Sequence, residues 1–127
     1  IDNGIIYGCV KNHVPFVLTG SIRDDGPMPE VIGDAYKGQS AMRDMVRDAT
    51  CVICLATMLH TIATGNMTPS FRVMKDGTIR PVYLYTVDAD EFVVNKLMDR
   101  GSLSATTIVT NVQDFITIIA KGLGVMK

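Results

Sequence analysis

The stretch "ATCVICLATMLHTIATGN", residues 49–66, carries two different periodicities with no linker between them. "ATCVICLA" is a continuous apolar run, the pattern of a strand buried on both faces rather than one with a solvated side. "TMLHTIATGN" then reads as a short helix closed by Gly65 and Asn66. A buried strand running straight into a helix is the first half of a βαβ unit, and parallel pairing with a right-handed crossover is its expected consequence.

The same alternation extends in both directions. Upstream, "IIYGCV" (5–10) reads as the end of a helix, with Ile5, Ile6, Cys9 and Val10 on one face, and "VPFVLTG" (14–20) as a buried strand. "EVIGDAYKGQSAMRDMVRD" (30–48) is expected to be helical, because Val31, Ile32, Ala35, Met42 and Val46 recur at helical spacing. Gly33 and Gly38 weaken it. Downstream, Asp76-Gly77 is a hairpin signal within 71–82, after which "PVYLYTV" (81–87) enters the main sheet. "DADEFVVNKLMDRG" (88–101) is a helix with acidic residues at its start and Gly101 just past its end. "ATTIVTN" (105–111) is a further strand, and "VQDFITIIAKGLG" (112–124) a closing helix with Val112, Phe115, Ile116 and Ile119 inward. The expectation is therefore a single α/β domain over residues 1–127, with four parallel strands and helices on both faces.

Composition agrees. The 127 residues are 47% hydrophobic but only 6% aromatic, with no Trp, so aliphatic side chains must fill the core. Net charge is −1 with the basic residues scattered, which argues against nucleic acid and anionic membranes as partners. The longest apolar run is too short to cross a bilayer. Cys51 and Cys54 have CxxC spacing inside an apolar run with no second pair, so they read as small hydrophobes rather than as a zinc or redox site. No metal site is expected, and the setting is expected to be reducing and cytoplasmic.

Open parallel sheets bind ligands beyond the carboxyl ends of their strands, where loops and helix N-termini converge. That rule nominates "GSIRDDGP" (20–27), "ATMLH" (56–60), "VDADE" (87–91) and "TNVQD" (110–114). Residue types alone leave the first open between a solvated turn and a ligand loop. Asp90 reads as a helix N-cap, whereas Asp88, directly at a strand end, suits the bidentate acceptor that ribose hydroxyls need. His60, on a short helix with apolar neighbours, fits a satisfied core or surface histidine better than a catalytic one. The first turn beginning at Thr57 offers backbone N–H groups to a phosphate. The chain contains no GxGxxG, GxxxxGK[ST], GxSxG or HExxH. Asp24, Asp25 and Asp88 as a magnesium pocket for phosphoryl transfer would need a Lys at the end of the last strand, and "IVTNVQD" has none.

Longer wording is more specific. "VPFVLTGSIRDDGPMPEVI", "LATMLHTIATGNM", "KLMDRGS" and "IVTNV" resemble, in order, the archaeal-type ornithine cyclodeaminase family, also called the LOR/SDH bifunctional enzyme conserved domain. The resemblance implies a Rossmann-like NAD-binding domain, similar to that of deoxyhypusine synthase. It implies a lyase of proline biosynthesis that converts L-ornithine to L-proline and ammonia: NAD takes a hydride from the α-carbon, the δ-amine attacks the resulting imine, ammonia leaves and the hydride returns. It carries cofactor contacts onto Asp25, onto Thr57, Met58, Leu59 and His60, onto Asp88, and onto Asn111 and Val112. No catalytic residue is assigned. Asn111 stands where the family usually has Asp, and "VDADEF" where it has "VDINP". The family's "GNAxAVHD" motif and substrate domain would lie before Ile1. The chain is thus expected to be the C-terminal portion of an NAD-binding domain, inactive alone and part of a homo-oligomer. The alternative is a non-catalytic NAD-binding or regulatory module of the same fold.

Overall fold

The computed structural model describes residues 2–20, 30–98 and 104–126, the side chain of Leu97 excepted. The chain divides into two compact units, 1–42 and 43–127.

In the first unit, helix α1 (Ile5–Lys11) is followed by extended chain and then by helix α2 (Ala35–Arg47), which runs on across the division. The strand expected over 14–20 does not form. Val14, Phe16 and Val17 are exposed, and among the described residues pairing is confined to one parallel bridge between Thr19 and Ile32. A row of apolar residues becomes a strand only where a neighbour takes up its N–H and C=O groups. Here that neighbour is the Val31–Ile32 segment, through Ile32 N–H to Leu18 O (2.9 Å) and Gly20 N–H to Ile32 O (3.0 Å). This pairing also corrects the expected start of the helix. Val31 and Ile32 have helical spacing but are spent on the bridge, and α2 begins beyond Asp34, whose carboxylate accepts from Lys37 N at 2.8 Å. Gly38 is more than a weak point in that helix, since a Cβ there would lie 3.3 Å from Thr19 Cγ2.

The second unit holds the sheet. Strands β1 (Cys51–Leu55), β4 (Tyr83–Asp88) and β5 (Ser104–Val109) are parallel in the order β1-β4-β5, with helix α3 (Met58–Met67) between the first two in sequence, α4 (Glu91–Met98) between the last two, and α5 (Val112–Gly122) closing the chain. The expected small hairpin is present as β2 (Phe71–Val73) and β3 (Ile79–Pro81). Gly77 occupies the left-handed position (φ 81°) after its turn, and Asp76 accepts from the Thr78 hydroxyl (2.7 Å) and backbone N–H (3.0 Å). Those two bonds hold the Asp76 carboxyl below the usual aspartate range. Arg72 ties the hairpin back by donating to the backbone carbonyl and carboxylate of Asp48.

The core sits on the central strand. Val82, Leu84, Thr86 and Val87 are buried, together with Val94 of α4, and each such aliphatic side chain is worth about 1.5–3 kcal/mol when fully removed from water. β1, expected to be buried on both faces, lies at a sheet edge among the described residues and exposes Cys51 and Ile53. The expected inward stripe of α5 is also only half correct. Val112 and Phe115 are partly covered, but Ile116 and Ile119 are exposed, with Ile118 beside them. The Gly101 helix-end reading falls outside the described residues. Among the described residues no helix is long and apolar enough to cross a membrane.

Thr86 Oγ1 is buried with no hydrogen-bond partner among the described residues. Removing an unpaired hydroxyl while keeping the shape avoids its desolvation cost, so Thr86→Val is expected to be neutral or to stabilise by up to about 1 kcal/mol in urea denaturation. A loss of more than that would mean that the hydroxyl is bonded in solution.

Candidate functional site at the strand ends

Register sets the site. Leu55 pairs with Val87, and Asp88 with Val109, so three strands running the same way finish side by side. Backbone bonds bind the ends together just past the strands: Ala56 N–H donates to Val87 O and Thr110 N–H to Asp88 O, both at 2.9 Å. Three of the four loops nominated from sequence therefore lie along one edge. The fourth, with Asp25, falls outside the described residues, as do Arg23 and Asp24.

At the end of β1 the chain turns sharply into α3. Ala56 has φ 53°, a left-handed conformation uncommon for a residue with a Cβ. Thr57 follows as the N-cap, yet its side chain makes no capping bond. Its hydroxyl lies 3.1 Å from His60 Nδ1 instead, and its carbonyl is held by Thr61, which donates from both its backbone N–H and its hydroxyl. The first-turn amides of Met58, Leu59 and His60 thus have no partner among the described residues. An uncapped first turn is an anion site in waiting, since the orphan N–H groups and the helix dipole both favour negative charge.

Below this turn lies Cys54. Burial pushes its thiol above the ordinary range, and a hydrogen bond with Thr61 offsets this only in part, so it stays neutral and unreactive. Three residues apart on one strand, Cys51 and Cys54 point to opposite faces, which bars them from sharing a metal or forming a disulfide. All three cysteines are free.

At the end of β4, two nested aspartate bonds fix the loop. Asp88 Oδ1 accepts from Asp90 N (3.0 Å), and Asp90 Oδ1 accepts from Phe92 N (2.8 Å), which makes Asp90 the cap of α4 as its sequence position suggests. Asp88 is half-buried, and its second oxygen has no partner among the described residues. At the end of β5, Asn111 caps α5 by accepting from Gln113 N at 2.8 Å, and Val112 is the first helical residue. The edge therefore presents free backbone donors at β1, a fixed carboxylate oxygen at β4 and a capped amide at β5. What sequence reasoning missed is the work of Thr61 and Ala56; a Thr four residues past a strand-end Thr is the signal that marks the first.

The arrangement has known relatives. A family model described as arginine dihydrolase ArgZ-like, C-terminal, Rossmann fold matches residues 1–119, in line with the fold read from sequence. The ornithine cyclodeaminase of Methanothermobacter thermautotrophicus is 50% identical over 119 residues, covering 94% of this chain and 26% of that protein. The structure of a conserved putative LOR/SDH protein from Methanococcus maripaludis superposes with a TM-score of 0.81 at 45% identity, over 95% of this chain and 33% of that one. AgrE in ternary complex with ornithine and NAD+ gives a TM-score of 0.80 at 40% identity, over 96% and 16%. The chain spans about a quarter of the length of the curated archaeal relatives it matches. These likenesses bear out the family resemblance carried by its wording.

The turn at Ala56 can be tested separately from any ligand. A β-branched side chain at φ 53° adds strain on the order of 1–2 kcal/mol, so Ala56→Val should lower the unfolding free energy by that amount while Ala56→Gly stays within about 1 kcal/mol of native. Equal stability of all three proteins in urea would show that the turn is not held in the left-handed conformation.

Proposed function

The chain belongs to the arginine dihydrolase ArgZ-like C-terminal Rossmann-fold family, and from that premise we propose that it is the cofactor-binding part of an NAD-dependent ornithine cyclodeaminase. The observation that carries this reading is the uncapped first turn of α3 beside the half-free carboxylate of Asp88. One feature suits a pyrophosphate and the other the hydroxyls of a ribose. Both belong to the residues expected to hold NAD, and the relative solved with ornithine and NAD+ shares this fold over nearly the whole chain.

When bound, NAD supplies the acceptance and return of a hydride, by which L-ornithine becomes L-proline with loss of ammonia. The residues of this chain bind and orient. Met58, Leu59 and His60 offer N–H groups to the phosphates, in a turn stiffened by the Thr57–His60 and Thr61–Thr57 bonds. Asp88 accepts from the ribose with the oxygen that Asp90 N–H leaves free. Asn111 and Val112 close the row, and Asp25 is the further contact that the family wording carries over. The neutral Cys54 takes no part.

The substrate of the whole protein is L-ornithine in this reading. The exposed aliphatic side chains Ile116, Ile118 and Ile119 of α5 suit contact with further protein surface, as in a homo-oligomer. Free thiols suit a reducing, cytoplasmic setting.

Denaturing the purified full-length protein that contains this chain should release NAD, and in its native state that protein should consume ornithine and form proline in equal amounts. Bound NAD without proline would leave a non-catalytic NAD-binding module, and no binding even on titration would end both readings. Asp88→Ala should weaken NAD by about 1–3 kcal/mol, the worth of hydrogen bonds to a charged acceptor. Unchanged affinity would reduce Asp88 to a turn former.

A further inference from the structure

We propose that Thr61 is a positioning residue for the cofactor's phosphates: its hydroxyl fixes and polarises the peptide group that carries the Met58 N–H. The inference rests on the first turn of α3 being the phosphate site, and it names the group that keeps that turn in order. Thr57 O and Met58 N–H are the two ends of one planar trans peptide and point in opposite directions. Whatever holds the carbonyl therefore aims the amide. Thr57 O accepts from Thr61 twice, from the backbone N–H at 3.2 Å and from the hydroxyl. Both donors lie toward the body of the helix, so the Met58 N–H is turned the other way, out of the helix N-terminus. A carbonyl drawn on by two donors also polarises the N–H at the far end of its peptide, which then donates more strongly to an anion. Thr57 cannot order the turn with its own side chain, because its hydroxyl is engaged with His60 and caps nothing.

A threonine hydroxyl on the carbonyl four residues earlier is common in helices and by itself signals nothing. The same helix contains the comparison. Thr68 makes this bond to Thr64 O at 2.7 Å, with its own N–H on the same oxygen at 2.9 Å. The N–H of that peptide belongs to Gly65, inside the helix, where the regular ladder takes it up. The N–H of the Thr57–Met58 peptide has no partner among the described residues. Of the two bonds, only the one from Thr61 can be felt by a ligand. Thr61 is only 4% exposed, so water does not compete for its hydroxyl. That hydroxyl has a single proton, which goes to Thr57 O because a carbonyl only accepts. The neutral Cys54 thiol donates to the hydroxyl oxygen and leaves this arrangement intact.

Affinity for NAD and melting temperature are measured on the full-length protein that contains this chain and on its Thr61→Val, Thr61→Ser, Thr68→Val and Asp88→Asn variants. Val keeps the shape of Thr without the hydroxyl, whereas Ser keeps the hydroxyl. Thr61→Val should melt close to the native protein and bind NAD about threefold to tenfold more weakly, the worth of one hydrogen bond. Thr61→Ser should restore native affinity. Thr68→Val, which loses the same kind of bond from the same helix, should bind NAD as the native protein does. If Thr61→Val does not fold, Thr61→Ala removes the same hydroxyl and is held to the same expectation. Native affinity without the Thr61 hydroxyl, or an equal loss in Thr61→Ser or Thr68→Val, would reduce Thr61 to an ordinary helix residue and end this inference. A loss of NAD in Asp88→Asn would show, in that case, that the site itself stands. If Asp88→Asn binds NAD as tightly as the native protein, or the native protein binds none, the site reading fails and takes this one with it.

Discussion

Everything at the strand ends depends on the burial of β4 between β1 and β5 in parallel register. Leu84 and Val87 on that strand, with Val82 just before it, are almost wholly removed from water, and this apolar burial, rather than any polar bond at the edge, holds the sheet together. Because the pairing is parallel, all three carboxyl ends fall on one side. A slip of register by one residue would turn Asp88 to the opposite face, so the packing that buries Leu84 also places the carboxylate.

The loops at that edge are ordered by their own polar side chains. Asp88 takes up Asp90 N–H, Asp90 takes up Phe92 N–H, and Asn111 takes up Gln113 N–H. Each satisfies a backbone donor that a turn or helix start would otherwise leave orphaned. Each also leaves part of its own hydrogen-bonding capacity unused. α3 is the exception, because Thr57 turns its hydroxyl to His60 and leaves the first-turn amides open. A first turn that forgoes a cap loses about 1 kcal/mol of helix stability, a cost consistent with a turn kept free for an anion.

The parts of this structure legible in the sequence were those fixed by local chemistry. Asp76-Gly77 announces a hairpin because the turn needs a left-handed residue, and Asp90 announces a cap because it stands two residues before a free amide. Strand ends are legible for the same reason: an apolar run must stop where polar capping residues begin, as at Ala56–Thr57, Asp88 and Asn111. What depends on distant partners was not legible. "VPFVLTG" has a strand's composition, yet among the described residues only Thr19 of it forms a bridge, since composition does not say which segment lies alongside. Val31 and Ile32 fit a helical stripe and are used in that bridge instead. Ile116 and Ile119 have the spacing of an inward face, but periodicity does not state what covers it. The strand ends were therefore more readable than the sheet: they follow from where polar residues interrupt apolar runs, whereas strand neighbours follow from packing.

The most direct measurement is a crystal structure of the purified protein grown with NAD. The account predicts phosphate oxygens within hydrogen-bond distance of the Met58–His60 amides and ribose hydroxyls on the Asp88 carboxylate, with β1, β4 and β5 ending in the register described. NAD bound away from these strand ends, or an Asp88 carboxylate facing solvent with the cofactor elsewhere, would contradict it.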